Sequence, residues 1–93
     1  MSIDFRDVPP DVQQQTRANA PKEWPDDFVM QAHTVGQQAE AFRRILAVSA
    51  PDVADAVRLQ ISARATGEWP KDYVMQLHTL EQQLSAYRQL HGI

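Results

Sequence analysis

The stretch EWPDDFVMQAHTVGQQAEAFRRI, residues 23–45, decides the fold because the chain contains it twice. It returns 45 positions later, at residues 68–90, as EWPKDYVMQLHTLEQQLSAYRQL, with 13 of 23 positions identical. A chain of 93 residues with a 45-residue period has room for two copies and little else. The sequence therefore predicts one domain, 1–93, built from repeat one at about 4–47 and repeat two at about 49–92.

Each repeat reads as a shorter helix followed by a longer one. Apolar residues recur every three or four positions, as in Phe28, Val35 and Phe42, which is the spacing of one helix face. We predict helices near 9–20, 25–47, 51–65 and 70–90.

The expected helix ends rest on prolines, glycine and acids. Pro25 and Pro70 are placed at the first positions of the long helices, where a missing N–H costs nothing. Pro21 and Gly67 are expected to end the short helices. The third helix is expected to begin within the segment Ser49-Ala50-Pro51-Asp52, with Ser49 as its cap.

Short connections make successive helices antiparallel neighbours, so each repeat is predicted to be a helical hairpin. The predicted fold class is all-α: four helices formed by two tandem hairpins related by a pseudo-two-fold axis, with residues 7–46 superposing on 52–91.

Composition narrows the class of protein. A net charge of −3 argues against nucleic-acid binding, which depends on a basic surface. No apolar run approaches the roughly 20 residues of a membrane span. The start, MSIDFRDVPP, is acidic where a secretory signal is basic and apolar, and there is no cysteine to form a disulfide. We expect a cytoplasmic protein that binds neither nucleic acid nor membrane.

Comparison of the two long segments separates three arcs around the helix at 100° per residue. The apolar arc changes conservatively, as in Phe28/Tyr73, and one polar arc changes freely, as in Asp26/Lys71. A third arc is identical in both copies, although it is largely polar. We call it the polar arc; it comprises Asp27/Asp72, Met30/Met75, Gln31/Gln76, Thr34/Thr79, Gln37/Gln82, Gln38/Gln83 and Ala41/Ala86.

Small residues and amides let helices approach closely and form hydrogen bonds to each other. We therefore predict that the polar arc contacts another helix, either inside the domain or across a homodimer. The interface candidates are Met30, Gln31, Thr34, Gln37, Gln38, Ala41, Met75, Gln76, Thr79, Gln82, Gln83 and Ala86.

A different interpretation gives the repeated Met-x-x-His positions a ligand. Met30 with His33, and Met75 with His78, offer thioether and imidazole groups that suit a soft metal or haem iron. No further ligand pattern accompanies them, so we expect no metal and no cofactor. The alternative without a ligand is a partly exposed histidine beside a packed methionine.

No catalytic constellation is apparent in the sequence. The carboxylates Glu23, Asp26 and Asp27 could suggest acid–base catalysis. However, acids in the first turn of a helix mostly interact favourably with its dipole, and Asp26 becomes Lys71 in the second copy. There is no cysteine and no phosphate-binding glycine loop. We expect that the protein is not an enzyme.

Trp24 and Trp69 precede the two prolines and have two possible functions. A tryptophan there can anchor a partner or can pack back on its own hairpin, and we favour the second. The leading hypothesis is a small non-enzymatic helical protein that acts through protein–protein contact, as a homodimer or an adaptor. The alternative is a ligand- or metal-binding helical bundle that uses the Met-x-x-His positions.

Overall fold

A computed structural model of the chain describes residues 3–92 and shows an all-helical protein. This part of the chain holds four α-helices and no strand, as predicted. Their bounds are α1 Pro10–Glu23, α2 Phe28–Ala47, α3 Asp55–Glu68 and α4 Tyr73–His91.

The long helices begin three residues later than predicted. Asp27 and Asp72 are their N-caps, and each carboxylate accepts from the backbone N–H three residues ahead, at 3.0 Å and 3.1 Å. Pro25 and Pro70 therefore lie in the turns that precede these helices. The helices begin after Asp27 and Asp72 because the two carboxylates accept from first-turn N–H groups that have no partner within the helix.

Three other helix ends differ from the sequence-based expectation. Pro21 lies inside α1, where it removes one hydrogen bond close to the helix end. Gly67 lies inside α3, which continues to Glu68. The third helix begins at Asp55 with Ala54 as its N-cap residue, so the predicted cap at Ser49 was wrong.

The helices pack in the spatial order α1, α2, α4, α3. Each short helix lies against the long helix that follows it, and the two long helices lie against each other. One apolar cluster joins α1 and the segment before it to α2 through Val8, Val12 and Ala39. The other joins α3 to α4 through Ile61 and Leu84.

The two long helices run in the same direction and are staggered. Hydrogen bonds join Gln38 to Asp72 and Arg44 to Glu81, at sequence separations of 34 and 37 residues. The sequence repeat is 45 residues, so α4 is displaced along α2 by roughly ten residues, or about 15 Å at 1.5 Å per residue. That displacement explains the long shape of the molecule, 48 × 22 × 19 Å.

These contacts do not show the predicted pseudo-two-fold axis. A two-fold axis that brought Gln38 to Asp72 would also bring Gln83 to Asp27, because each contact would have an exchanged copy. No hydrogen bond joins Gln83 to Asp27 within residues 3–92.

The cores are built from small and medium side chains. Ala20, Ala39 and Ala50 are almost fully buried, and no large side chain in the described part of the chain is completely enclosed. None of the four described helices is both long and apolar enough to cross a membrane.

Candidate protein-contact site

Two glutamines of the polar arc close the turn that precedes their own helix. The side-chain amide of Gln31 donates to the carbonyl oxygen of Trp24 at 2.8 Å, and that of Gln76 donates to the carbonyl oxygen of Trp69 at 2.6 Å. The carbonyls belong to the Trp-Pro turns, where the short helix has just ended. The presence of glutamine at this position in both copies is explained by its bond to the turn that leads into each long helix.

The joint between the long helices is centred on the start of α4. We use "joint" for the contacts of Asp72 and Tyr73 with Gln38 and Phe42. The Gln38 amide donates to Asp72 Oδ1 at 3.0 Å, and its carbonyl oxygen accepts from the Tyr73 backbone N–H at 2.6 Å. One glutamine side chain therefore binds both the cap and the first residue of α4.

Tyr73 fills a site between α1 and α2. Its ring meets that of Phe42 edge to face, with centroids 5.2 Å apart, and packs near Val12. Its hydroxyl lies 3.1 Å from the Gln15 amide oxygen and donates to it. Burial raises the pKa of the Tyr73 hydroxyl above its usual value, and the negative charge of Asp11 adds to the effect.

A cleft between α3 and α4 occupies the corresponding position of the second repeat. Val12, Gln15, Gln38 and Phe42, which surround Tyr73, have Val57, Gln60, Gln83 and Tyr87 as their sequence counterparts 45 residues later. All four counterparts line one cleft of about 390 Å³, together with Arg64, Ala86 and others. We call it the α3–α4 cleft. No segment of residues 3–92 fills it in the way that Tyr73 fills its own site.

The counterpart of Tyr73 is in turn exposed. Phe28 begins α2 as Tyr73 begins α4, yet 77% of Phe28 is accessible to solvent. Its neighbour Val29 is similarly exposed, at 79%. At the other end of the molecule Leu90, beside the α3–α4 cleft, is 82% exposed. The molecule thus has an exposed aromatic residue at the start of α2 and an empty cleft at the end of α4.

The other polar-arc residues have different surroundings in the two copies. Ala41 is buried, whereas Ala86 is exposed. Thr79 is buried, whereas Thr34 is partly exposed. The whole arc does not form one surface: Gln37 and Gln82 are exposed in both copies, and Met30 and Met75 are partly buried in both.

His33 and His78 are both exposed. Within residues 3–92, no three histidine or acidic side chains come together as a metal site would require. The structure thus gives the Met-x-x-His hypothesis no additional ligand. Nothing in the same residues points to a catalytic reaction.

The two tryptophans are the C-cap residues of the short helices and begin the turns before the long ones. Trp24 is partly buried, and its indole N–H has no hydrogen-bond partner in the described structure. Trp69 is more exposed, at 37%, and lines a second cleft of about 350 Å³ beside the joint, with Asn19 and Lys71 among the other lining residues.

Sequence reasoning missed the residues that hold the chain ahead of each short helix. Arg43 donates to the Asp4 carbonyl oxygen at 2.6 Å, and Arg88 makes two bonds to the Asp52 carboxylate at 2.7 and 3.1 Å. Hydrogen bonds from Arg6 lower the pKa of Asp4 to about 2, and the Arg88 bond lowers that of Asp52. The identity of Arg43 and Arg88 in the two copies was the available signal.

Comparison of the chain with protein-family models, with curated proteins and with solved structures finds no match in any of the three.

Proposed function

We propose that this protein is a non-enzymatic helical module that acts in protein–protein contact, and that it binds its partner in the α3–α4 cleft. The observation that carries the proposal is the joint. Asp72 and Tyr73 bind to residues of α1 and α2, and the residues 45 positions after those binding residues line the α3–α4 cleft. The cleft offers apolar contact through Val57 and Tyr87.

The proposal depends on regarding the two hairpins as tandem copies displaced along the molecule. Equivalent contacts support this view: the Gln31 and Gln76 amides bond equivalent carbonyls, and Asp27 and Asp72 cap equivalent helices. A staggered repeat leaves one contact surface unused at each end.

The chemistry of the joint suggests which partner segment the cleft accepts. Gln38 bonds a capping carboxylate and the first backbone N–H of the helix, while the first side chain is aromatic. By the same chemistry, Gln83 in the cleft selects a helix start with an acidic cap followed by an aromatic residue. An exposed apolar cleft beside a polar amide is typical of a binding site for protein. We also propose a cytoplasmic location, because the chain has no cysteine.

A display library of short helical segments tests the proposal. Wild-type protein is expected to enrich segments with an acid directly before an aromatic residue. Ala86→Arg places a long charged side chain in the cleft at an exposed position, so it is expected to remove this enrichment without unfolding the protein. Leu59→Ser, at an exposed position of α3 outside the cleft, is the matched control. Equal selection by wild type and Ala86→Arg would contradict the proposal.

A further inference from the structure

We propose that the occupant of the α3–α4 cleft is a second copy of this chain, which inserts Asp27 and Phe28 and so joins molecules head to tail. The inference rests on the proposed function and names its partner. Its basis is the joint inside one molecule, which already shows repeat-one residues binding the helix start of repeat two. The same contact between molecules would join the α3–α4 cleft in repeat two of one copy to the start of α2 in repeat one of the next copy.

The exposed start of α2 has the groups that such a contact needs. Asp27 already accepts from the Met30 N–H, as Asp72 accepts from the Met75 N–H, so its carboxylate is held in the same capping geometry. Phe28 follows directly and is largely exposed. The backbone of the two caps is also similar, with φ −109° and ψ 89° at Asp27 and φ −120° and ψ 95° at Asp72, although Asp26 just before the cap has a positive φ of 61°.

The cleft has the complementary groups. The Gln83 amide would donate to Asp27, and its carbonyl oxygen would accept from the Phe28 N–H, as Gln38 does in the joint. Tyr87 would meet the Phe28 ring as Phe42 meets Tyr73. Ala86 is as small as the buried Ala41, so two helix backbones can approach closely here as well.

Two positions at the edge of the contact differ in charge between the joint inside one molecule and the proposed contact between molecules. Inside the molecule, Asn19 and Lys71 line the same cleft beside the joint. Their counterparts in a contact between molecules are Arg64 and Asp26, a pair of opposite charge. A neutral–cationic pair is thus replaced by an attractive one, which favours binding of a second copy and makes it sensitive to salt.

The geometry makes this association open-ended. Phe28 lies at the start of α2 and the α3–α4 cleft at the end of α4, and α4 is displaced forward along α2 in a molecule 48 Å long. The two surfaces therefore face away from each other at opposite ends, so two molecules cannot satisfy both at once. A head-to-tail contact of this kind forms chains or large rings.

The first test follows the molar mass of the full chain by light scattering, from about 10 µM to about 1 mM, where contacts of this kind associate. The mass is expected to rise with concentration beyond two chains of 10.6 kDa. Phe28→Ala and Ala86→Arg are expected to stay monomeric and folded, since both positions are exposed. Leu59→Ser is expected to associate like the wild type.

Mixing the two defective variants tests the pairing itself. Phe28→Ala keeps a functional cleft and Ala86→Arg keeps a functional helix start, so together they are expected to form a complex of two chains that grows no further. Phe28→Tyr adds a hydroxyl that can donate to Gln60, as Tyr73 donates to Gln15, and is expected to tighten association about two- to tenfold. Asp26→Asn is expected to weaken it about two- to fivefold.

A wild-type protein that stays monomeric throughout, or stops at two chains, would overturn the head-to-tail inference. So would a mixture of the two variants that does not associate. Neither result would overturn the proposed function if wild-type protein still selects acid–aromatic helical segments and Ala86→Arg does not. The two proposals can therefore fail separately.

Discussion

At the scale of single residues, one glutamine position explains how a polar residue is retained on a helix that needs apolar contacts. Gln76 is buried, and its amide donates to the Trp69 carbonyl oxygen in the turn before its own helix. Loss of this part-buried hydrogen bond is expected to cost free energy, because the buried Gln76 side chain would lose its partner. The residue fixes the angle at which the chain enters α4.

Replacing Gln76 by glutamate tests this function without changing the size of the side chain. The carboxylate has no N–H to donate and would face the Trp69 carbonyl oxygen, so the free energy of unfolding is expected to fall by about 1–3 kcal/mol. Urea denaturation measures the change. Gln82→Glu, exposed on the same helix, is the control and is expected to change it by less than about 0.5 kcal/mol. Equal effects at both positions would show that the bond to Trp69 is unimportant.

Tyr73→Phe tests the tyrosine hydroxyl in the joint. Loss of its bond to Gln15 is expected to cost about 0.5–1.5 kcal/mol at neutral pH. The folded protein raises the pKa of Tyr73 above the ordinary value of 10.0, so it favours the neutral form. That stability is present below about pH 10 and is lost as the pH rises further. The variant is expected to lose less stability than the wild type between pH 9 and pH 11 in the same urea assay.

Residue-level sequence reasoning succeeded where a contact is local. Identity between the copies singled out Asp27, Asp72, Gln31 and Gln76, and the structure shows that all four make hydrogen bonds at the entry to the long helices. The predicted partner contact of the two glutamines stays a prediction. Identity could not separate Ala41 from Ala86, because identical residues have different surroundings once α4 is displaced along α2. The direction and extent of that displacement depend on packing across 34 to 37 residues, which a repeat period does not contain.

At the scale of helices, the fold depends on the joint between α2 and α4. The periodic apolar spacing predicted four helices, and the structure confirms that number within residues 3–92. The prolines gave less accurate helix ends, because carboxylate caps three residues ahead start the long helices instead. Since α1 packs on α2 and α3 on α4, the two halves are held to each other chiefly through the long helices.

Ala41→Arg tests the packing of α2 against α4 next to the joint, where Ala41 lies near Val74 and Leu77. Ala41 is only 4% exposed, so an arginine there must either bury its charge or separate the helices, and a loss of several kcal/mol is expected. Ala86→Arg is the matched control, since the same substitution at the exposed counterpart is expected to cost within about 0.5 kcal/mol. The urea midpoint of both variants gives the comparison. Equal midpoints would mean that the two alanines have the same environment, contrary to the structure.

At the scale of the whole molecule, stability is distributed unevenly along the packing order α1, α2, α4, α3. A long helix packs along two neighbours and a short helix along one, apart from side-chain contacts such as that of Tyr73 with Gln15. Local opening therefore costs less free energy in the short helices, which can separate while the α2–α4 pair stays in place. A chain of neighbouring contacts of this kind behaves as a short repeat array, with cooperativity transmitted from one element to the next.

Amide hydrogen exchange measures this distribution directly. The slowest exchange is expected where the long helices overlap, in the second half of α2 and the first half of α4, because these segments are covered by each other and by a short helix. Faster exchange is expected in α1 and α3. The measurement is best made on Ala86→Arg, so that association of copies does not add protection at the end of α4. Equal protection in all four helices would show that the molecule opens as one unit, and the joint would then have no special place in its stability.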